Sequence, residues 1–342
     1  MPSTKQSKKV LVTGGLGFIG SHTVTDLHSK GYTPIIVDNL DNSYIKTLGN
    51  LEAICGGKLR FYNGDCNNKD VLRSIAEKEG PIWGCIHFAA NKAVGESVEN
   101  PLKYYRNNIG TLVSLLEESK NLGFEKFVFS SSCTVYGQPD TLPVDETAPI
   151  KIAESPYGYT KQVCERIISD FTATENDIAF TLLRYFNPIG AHPSATIGEW
   201  PIGTPNNLVP FITQSAIGKR GALQVYGDDY DTKDGSCIRD YIHVMDLASA
   251  HILALENNAN KALEVYNVGT GNGSSVLEVI KAFEAVSNVK LDYAIVGRRS
   301  GDVEKVYADP SKIKSELGWK PQYSLEDSLL HAWQWEQALS EN

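Results

Sequence analysis

The sequence predicts an α/β protein, a doubly wound parallel sheet with a smaller C-terminal α/β lobe. Three observations carry this. Short β-branched and apolar runs alternate with helix-like segments through the first half of the 342 residues. A glycine-rich turn joins the first run to the first helix-like segment. After Asn187 the alternation gives way to a stretch rich in Pro, Gly and polar residues. Strands spaced by helices at this interval build βαβ units, whose sheet is parallel and covered on both faces.

Taken in order, Val10–Thr13 is a short apolar run and Ile19–Lys30 has helical character. Pro34–Asp38, with Ile35, Ile36 and Val37, is a second strand, followed by a helix over Tyr44–Cys55. Leu59–Tyr62, Ile82–Phe88 and Phe127–Ser130 read as strands, Asp70–Lys78 and Leu102–Asn121 as helices, the latter long and continuous. Tyr157–Thr174 is a helix and Phe180–Tyr185 closes the series. Pro188–Asn207 predicts a loop. Tyr241–Asn257 reads as a strand end and a helix, and Val265–Val268 as a buried strand that returns to the first domain. Val276–Val286 and the tail belong to the smaller lobe. The expected domains are therefore 1–186 with about 239–268, and 187–238 with 269–342. There is no internal repeat or low-complexity tract.

With 42% hydrophobic and 21% charged residues, the chain can bury a proper core. Its net charge of -9, with scattered positives, argues against nucleic-acid binding. The one basic run, Lys5, Lys8 and Lys9, reads as a solvated tail. Met1 to Ser7 has no apolar core, so no signal peptide is expected, and no stretch approaches the roughly 18 apolar residues of a membrane span. The six cysteines form no Cys-x-x-Cys pair and the seven histidines fall at no zinc-ligand spacing. An intracellular, cytoplasmic protein with reduced cysteines and no metal is expected.

Gly14, Gly17 and Gly20 stand at Gly-x-x-Gly-x-x-Gly spacing between the first strand and the first helix. A tight turn, close approach to a pyrophosphate and close helix packing each need a missing side chain. The helix amino end offers free N–H groups to phosphates. This is the signature of a Rossmann dinucleotide site. Asp38 ends the second strand, where a ribose-binding acid is expected, and would repel a 2′-phosphate. No Arg or Lys stands beside it, so NAD is chosen over NADP. Asp65, after the third strand, is placed to meet the adenine or to serve as a plain turn residue.

Tyr157 and Lys161 are four residues apart, on one face of a helix that Pro156 opens and Ser155 caps. A free tyrosine has a pKa of about 10 and is a poor base at neutral pH. A nearby ammonium and a positive nicotinamide ring favour the phenolate, which makes Tyr157 a proton acceptor. Tyr159 competes but is out of phase with Lys161. The segment Ser130-Ser131-Ser132-Cys133-Thr134-Val135-Tyr136-Gly137 follows a buried strand, at the sheet edge where ligands of this fold bind. A serine there can bridge a substrate hydroxyl and Tyr157.

These motifs, with His87–Ser97, Leu183–Pro188, Pro205–Leu208, Arg239–Asp246 and Arg298–Asp302, carry a family resemblance over roughly residues 9–335. The chain resembles the extended short-chain dehydrogenases, and among them most closely the UDP-galactose 4-epimerases. The resemblance implies Ser132, Tyr157 and Lys161 as the catalytic set. It implies NAD contacts from Gly14, Gly17, Phe18, Ile19, Gly20, Asp38, Asn39, Asn42, Ser43, Asp65, Cys66, Phe88, Ala89, Lys92, Asn107, Tyr157, Lys161 and Phe186. It implies UDP-sugar contacts from Lys92, Ser132, Tyr157, Asn187, Asn206, Asn207, Leu208, Tyr226, Arg239, Tyr241, Arg299 and Asp302. The arginines suit a diphosphate as planar forks; each alone would also pass for a surface ion-pair partner.

The activity so implied is interconversion of UDP-glucose and UDP-galactose through a 4-keto sugar that turns over within a closed site, with NAD held throughout. Two departures from the family pattern stand out. Asn107-Asn108-Ile109-Gly110-Thr111 is one residue short, so either Asn107 or Asn108 is the cofactor asparagine. Val306 stands where some members have a bulky tyrosine, which leaves room for N-acetylated sugars. The family also implies a homodimer, with Leu102–Asn121 and Tyr157–Thr174 as the paired helices, and any mutarotase as a separate partner. The alternatives are a 4-epimerase of another UDP-sugar, a nucleotide-sugar dehydratase or decarboxylase, and a non-catalytic NAD-binding protein. Dehydratases place Asp-Glu where this chain has Cys133-Thr134.

Overall fold

The computed structural model describes residues 7–174, 177–258, 263–299 and 303–341. Seven parallel strands form the main sheet: β1 (Lys9–Thr13), β2 (Thr33–Asp38), β3 (Arg60–Asn63), β4 (Gly84–His87), β5 (Lys126–Ser132), β6 (Ala179–Tyr185) and a late strand, Leu263–Val268. From one edge the order is late strand, β6, β5, β4, β1, β2, β3. The order reverses between β1 and β4, and in such sheets ligands bind beyond the carboxyl ends at that point.

The apolar runs are continuous because both faces are buried. Val10 and Val12 point to one face, with Ile36, Ile86 and Val128, under the helices Phe18–Ser29 and Val244–Asn257. Leu11 points to the other, with Ile35, Val37, Phe127 and Phe129, against Leu72, Ile75, Leu112, Leu115 and Ile168. Side chains alternate along a strand, so one run feeds both cores.

The smaller lobe follows β7 (Asn187–Ile189), β8 (Leu223–Tyr226) and β9 (Ile238–His243), after which the late strand of the main sheet is β10 and the rest are β11 (Gly273–Ser275), β12 (Tyr293–Val296) and β13 (Lys305–Val306). β9 is the hub, pairing with β7, β11 and β13, while β8 pairs with β12. Its core gathers Ile189, Val209, Ile212, Val225, Ile280, Phe283, Leu329 and Trp333. Ser275 with Glu278, and Ser324 with Asp327, form capping boxes that start the helices Val276–Ser287 and Leu325–Ser340. So residues 239–268 are shared: β9 runs in the small sheet, and the helix after it and β10 cover and extend the large one.

Three local expectations change. The long helix over Leu102–Asn121 is four pieces: Pro101–Tyr104, a π-turn at Tyr105–Ile109, Gly110–Glu117 and Ser119–Leu122. The π-turn falls on the asparagine pair, and π-bulges favour functional sites. A six-residue helix, Val94–Glu99, forms where none was expected. The expected loop after Asn187 contains β7 and an isolated bridge between Ala191 and Gly198. Among the described residues no helix is long and apolar enough to cross a membrane, and no group of three or more His, Cys, Asp or Glu side chains is placed to hold a metal.

Candidate active site

One cavity of about 1570 Å³ opens at the reversal point and continues between the two lobes. Its first half is built on the glycine turn. Gly14 has φ +66, and a Cβ there would lie 3.0 Å from the backbone nitrogen of Ala89. Only glycine takes that backbone conformation without strain and lets the turn lie against the segment after β4. At Gly20 a Cβ would come within 2.3 Å of the Gly14 carbonyl oxygen, so the helix packs directly on the turn. Gly17 caps that helix with no side-chain hydrogen bond, which leaves its first N–H groups for an anion. Phe18 and Ile19 also line the cavity.

Asp38 is oriented rather than merely present. Its Oδ2 accepts from the Leu16 N–H at 3.0 Å, and its Oδ1 from the Leu40 N–H at 2.9 Å and the Ser43 hydroxyl at 2.8 Å. Asn39, Asn42, Asp65 and Cys66 line the same end, with Phe88, Ala89 and Lys92 opposite. An uncapped helix terminus, a glycine cradle and a fixed carboxylate at the second strand's end are the donor set a dinucleotide with a free 2′-hydroxyl needs. The chain therefore fits NAD. Asn107 lines the cavity, whereas Asn108 is turned inward. Asn108 accepts from the Asn91 N–H at 2.8 Å and donates to the Asn91 carbonyl and the Thr160 hydroxyl, each at 3.0 Å. The π-turn carries both, and Asn107 Nδ2 donates to Asn108 Oδ1 at 3.1 Å. Phe186 is off the wall, buried with Val135, Tyr136, Val144 and Val306.

At mid-cavity stand Tyr157 and Lys161, on the helix Pro156–Thr174, which Ser155 caps by accepting from the Gly158 N–H at 3.1 Å. Lys161 Nζ donates to the Ser130 carbonyl at 2.7 Å and lies 5.9 Å from the centroid of the Tyr157 ring. Ser132 lies just behind the wall. Its hydroxyl lies near Tyr157, and its Oγ accepts from the Thr134 N–H at 3.2 Å. Tyr159 is half-exposed and meets Tyr105 edge-on, away from Lys161.

Burial pushes the Tyr157 phenol well above its usual value, the neighbouring Tyr185 adds to this, and the Ser132 hydroxyl opposes it. Burial likewise pulls the Lys161 ammonium down to about 8, against Cys164 and Glu165, which hold it up. The protein alone thus keeps the phenol protonated, and the positive charge that favours the phenolate must come largely from what binds beside it.

The second half of the cavity is lined by Asn187, Asn206, Asn207, Leu208, Tyr226, Arg239, Tyr241 and Arg299. Arg239 donates to the carbonyls of Ile238 (2.9 Å) and Glu304 (3.4 Å), and Arg299 lies 5.3 Å from the Tyr226 ring centroid. Asp240, buried beside Arg239, ties β9 to its neighbours by accepting from the N–H groups of Thr270, Gly271 and Ala308. Val306, paired with Arg239 in register, lines the wall. Asp302 lies outside the described residues.

Sequence reasoning passed over Glu199 and the pair Glu165–Arg184. Glu199 comes from the expected loop and bonds Lys92 and Asn207. Glu165 and Arg184 form a buried ion pair behind the serine strand. Lys92 lies 107 residues from Glu199 and Arg184 lies 19 from Glu165, so no local pattern marks these ion pairs.

The geometry agrees with what the chain is similar to. A family profile described as GDP-mannose 4,6 dehydratase matches residues 11–331. The UDP-glucose 4-epimerase of Bacillus subtilis is 49% identical over 96% of this chain and 96% of its own. A crystal structure of the Bifidobacterium longum UDP-glucose 4-epimerase in complex with NAD⁺ and UDP superposes with a TM-score of 0.94 at 44% identity, covering 97% of this chain and 98% of that one. The Stenotrophomonas maltophila UDP-glucose 4-epimerase, with bound NAD and formylated UDP-arabinopyranose, gives a TM-score of 0.94 at 44% identity, covering 98% and 99%.

Proposed function

We propose that this chain, which belongs to the UDP-glucose 4-epimerase family of extended short-chain dehydrogenases, interconverts UDP-glucose and UDP-galactose with NAD held as cofactor. The observation that carries this is one continuous cavity: a dinucleotide cradle at one end, two arginines at the other, and Tyr157 with Lys161 between. NAD would be held by the Gly14–Gly20 turn and by Asp38, and would supply a reversible hydride acceptor for the sugar carbon. Tyr157 accepts the proton of the 4-hydroxyl and later restores it, with Ser132 bridging. Arg239 and Arg299 grip the diphosphate as charged forks, which retains the sugar by its handle without fixing which face it presents.

The test is incubation with UDP-galactose and no added cofactor, following UDP-glucose by coupled oxidation. Turnover supports both the epimerase and its resident NAD. No activity, even with NAD supplied, would send the assignment to another UDP-sugar. A dehydratase is disfavoured by Cys133, which stands where those enzymes carry an acid. Burial pushes its thiol up to about 12, too weak to protonate a leaving hydroxyl.

Lys161→Met should lower turnover and move the acid-side limb of the pH profile upward. The sign follows from the charges: burial already disfavours the phenolate, and removing the nearby cation disfavours it further. An unmoved limb would remove Lys161 from the base's activation. Val306→Tyr should cut activity on UDP-N-acetylglucosamine at least about tenfold more than on UDP-glucose, since a ring would fill the wall beside Arg239. Equal losses on both sugars would show that position 306 does not read the 2-substituent.

We place the chain in the cytoplasm as a homodimer. Its six cysteines are free, as a reducing compartment requires. Val98, Leu102 and Tyr159 expose apolar surface on or beside the two helices expected to pair. Sedimentation at micromolar concentration should give twice the 37.5 kDa chain mass.

A further inference from the structure

The two ends of the cavity meet at one carboxylate. Glu199 Oε1 accepts from Lys92 Nζ at 3.0 Å and from Asn207 Nδ2 at 2.7 Å. Lys92 belongs to the cofactor half: it follows Ala89, against which Gly14 packs, and its ammonium lies 5.9 Å from the centroid of the Phe18 ring. Asn207 belongs to the other half, as the N-cap of the helix Leu208–Ala216, whose Val209 and Ile212 sit in the small-lobe core.

The carboxylate is held from behind. The Glu199 carbonyl accepts from Trp335 Nε1 at 3.0 Å. Gly198 lies flat on the Trp335 ring, where a Cβ would come within 2.3 Å. Trp200 meets Trp335 edge-on at 6.0 Å and packs on Tyr44 at 4.3 Å between ring centroids. Asn50 donates to the Thr196 carbonyl at 3.0 Å. The segment 196–200 is therefore wedged between the first lobe and the C-terminal helix, and Glu199 cannot simply follow either partner.

We infer that Glu199 is a positioning residue, a fixed strut that sets Lys92 and Asn207 against each other and so couples the cofactor half of the cavity to the UDP half. It touches neither reacting atom. Its two arms differ in chemistry: Lys92 needs the charge, whereas Asn207 needs only an acceptor oxygen. The inference rests on the epimerase reading for what fills each half.

The two arms can be cut separately in the full chain. Glu199→Ala should weaken UDP binding, measured by calorimetry, by about tenfold and also lower the NAD retained after gel filtration, since both arms are lost. Glu199→Gln keeps the acceptor and should leave UDP affinity within about twofold, while still losing NAD. With UDP-galactose, Ala should raise KM and lower kcat, whereas Gln should lower kcat with little change in KM. UDP affinity and NAD retention both unchanged in Glu199→Ala would overturn the strut. So would a Gln variant that loses UDP as badly as Ala. Wild-type protein that binds UDP but fails to turn over UDP-galactose would instead overturn the substrate assignment, and the UDP and NAD measurements would still decide the strut.

Discussion

Tyr157→Phe is expected to lower kcat by roughly 10²- to 10⁴-fold, the usual contribution of a positioned proton acceptor, while KM for UDP-galactose and bound NAD stay near wild type. The ring fills the same buried space, so packing against Lys161 and Ser132 survives and only the oxygen is lost. No neighbour can take its place. Ser132 offers an aliphatic hydroxyl, which is no base at neutral pH, and the Tyr185 phenol, partly buried, is itself raised above its usual value. A steady-state assay of the variant, with its NAD content measured alongside, checks this. A loss below tenfold would mean that another group removes the proton. A large rise in KM with kcat intact would make Tyr157 a binding residue.

How much of this site was legible depended on how local each cause was. The glycine turn and Asp38 were readable because a tight turn and a strand end impose their requirements within a few residues. Tyr157 and Lys161 were readable because helix periodicity alone puts them on one face. The parallel sheet followed from runs that are apolar on both faces. The π-turn was not readable: a long apolar helix pattern tolerates an extra residue, and only the structure shows Asn107 turned to the cavity and Asn108 to Thr160. The short helix Val94–Glu99 has too few residues to show a period. Glu199 was hidden for a stronger reason: Lys92 and Trp335 are more than a hundred residues away on either side, and only the fold brings them together.

The pair Glu165–Arg184 belongs to the same class and carries the largest expected effect on stability. Arg184 on β6 donates to Glu165 through Nε (3.0 Å) and Nη2 (2.6 Å), a two-pronged pair with both side chains buried. Its third arm donates to the Tyr136 hydroxyl at 3.0 Å, and Ser131 donates to the same carboxylate at 2.5 Å. Glu165 stands one turn after Lys161, and Ser131 one residue before Ser132, so this pair pins the helix that carries Tyr157 and Lys161 to the strand end that carries Ser132. Burial works against the Arg184 charge, but the hydrogen bonds and charge of Glu165 more than reverse it.

Arg184→Met should therefore cost about 3–5 kcal/mol, because it leaves a buried carboxylate with no counter-charge. Glu165→Met should cost a similar amount for the converse reason. The double variant should recover most of the loss, since two apolar side chains in place of a buried pair leave no charge uncompensated. Urea unfolding of the three variants reads this directly. Additive losses in the double variant would mean that each residue acts through separate contacts. Recovered stability with activity still low would mean that the pair aligns Ser132 and Lys161 rather than simply holding the fold, because an apolar pair can fill that space but cannot hold Ser131 by a hydrogen bond.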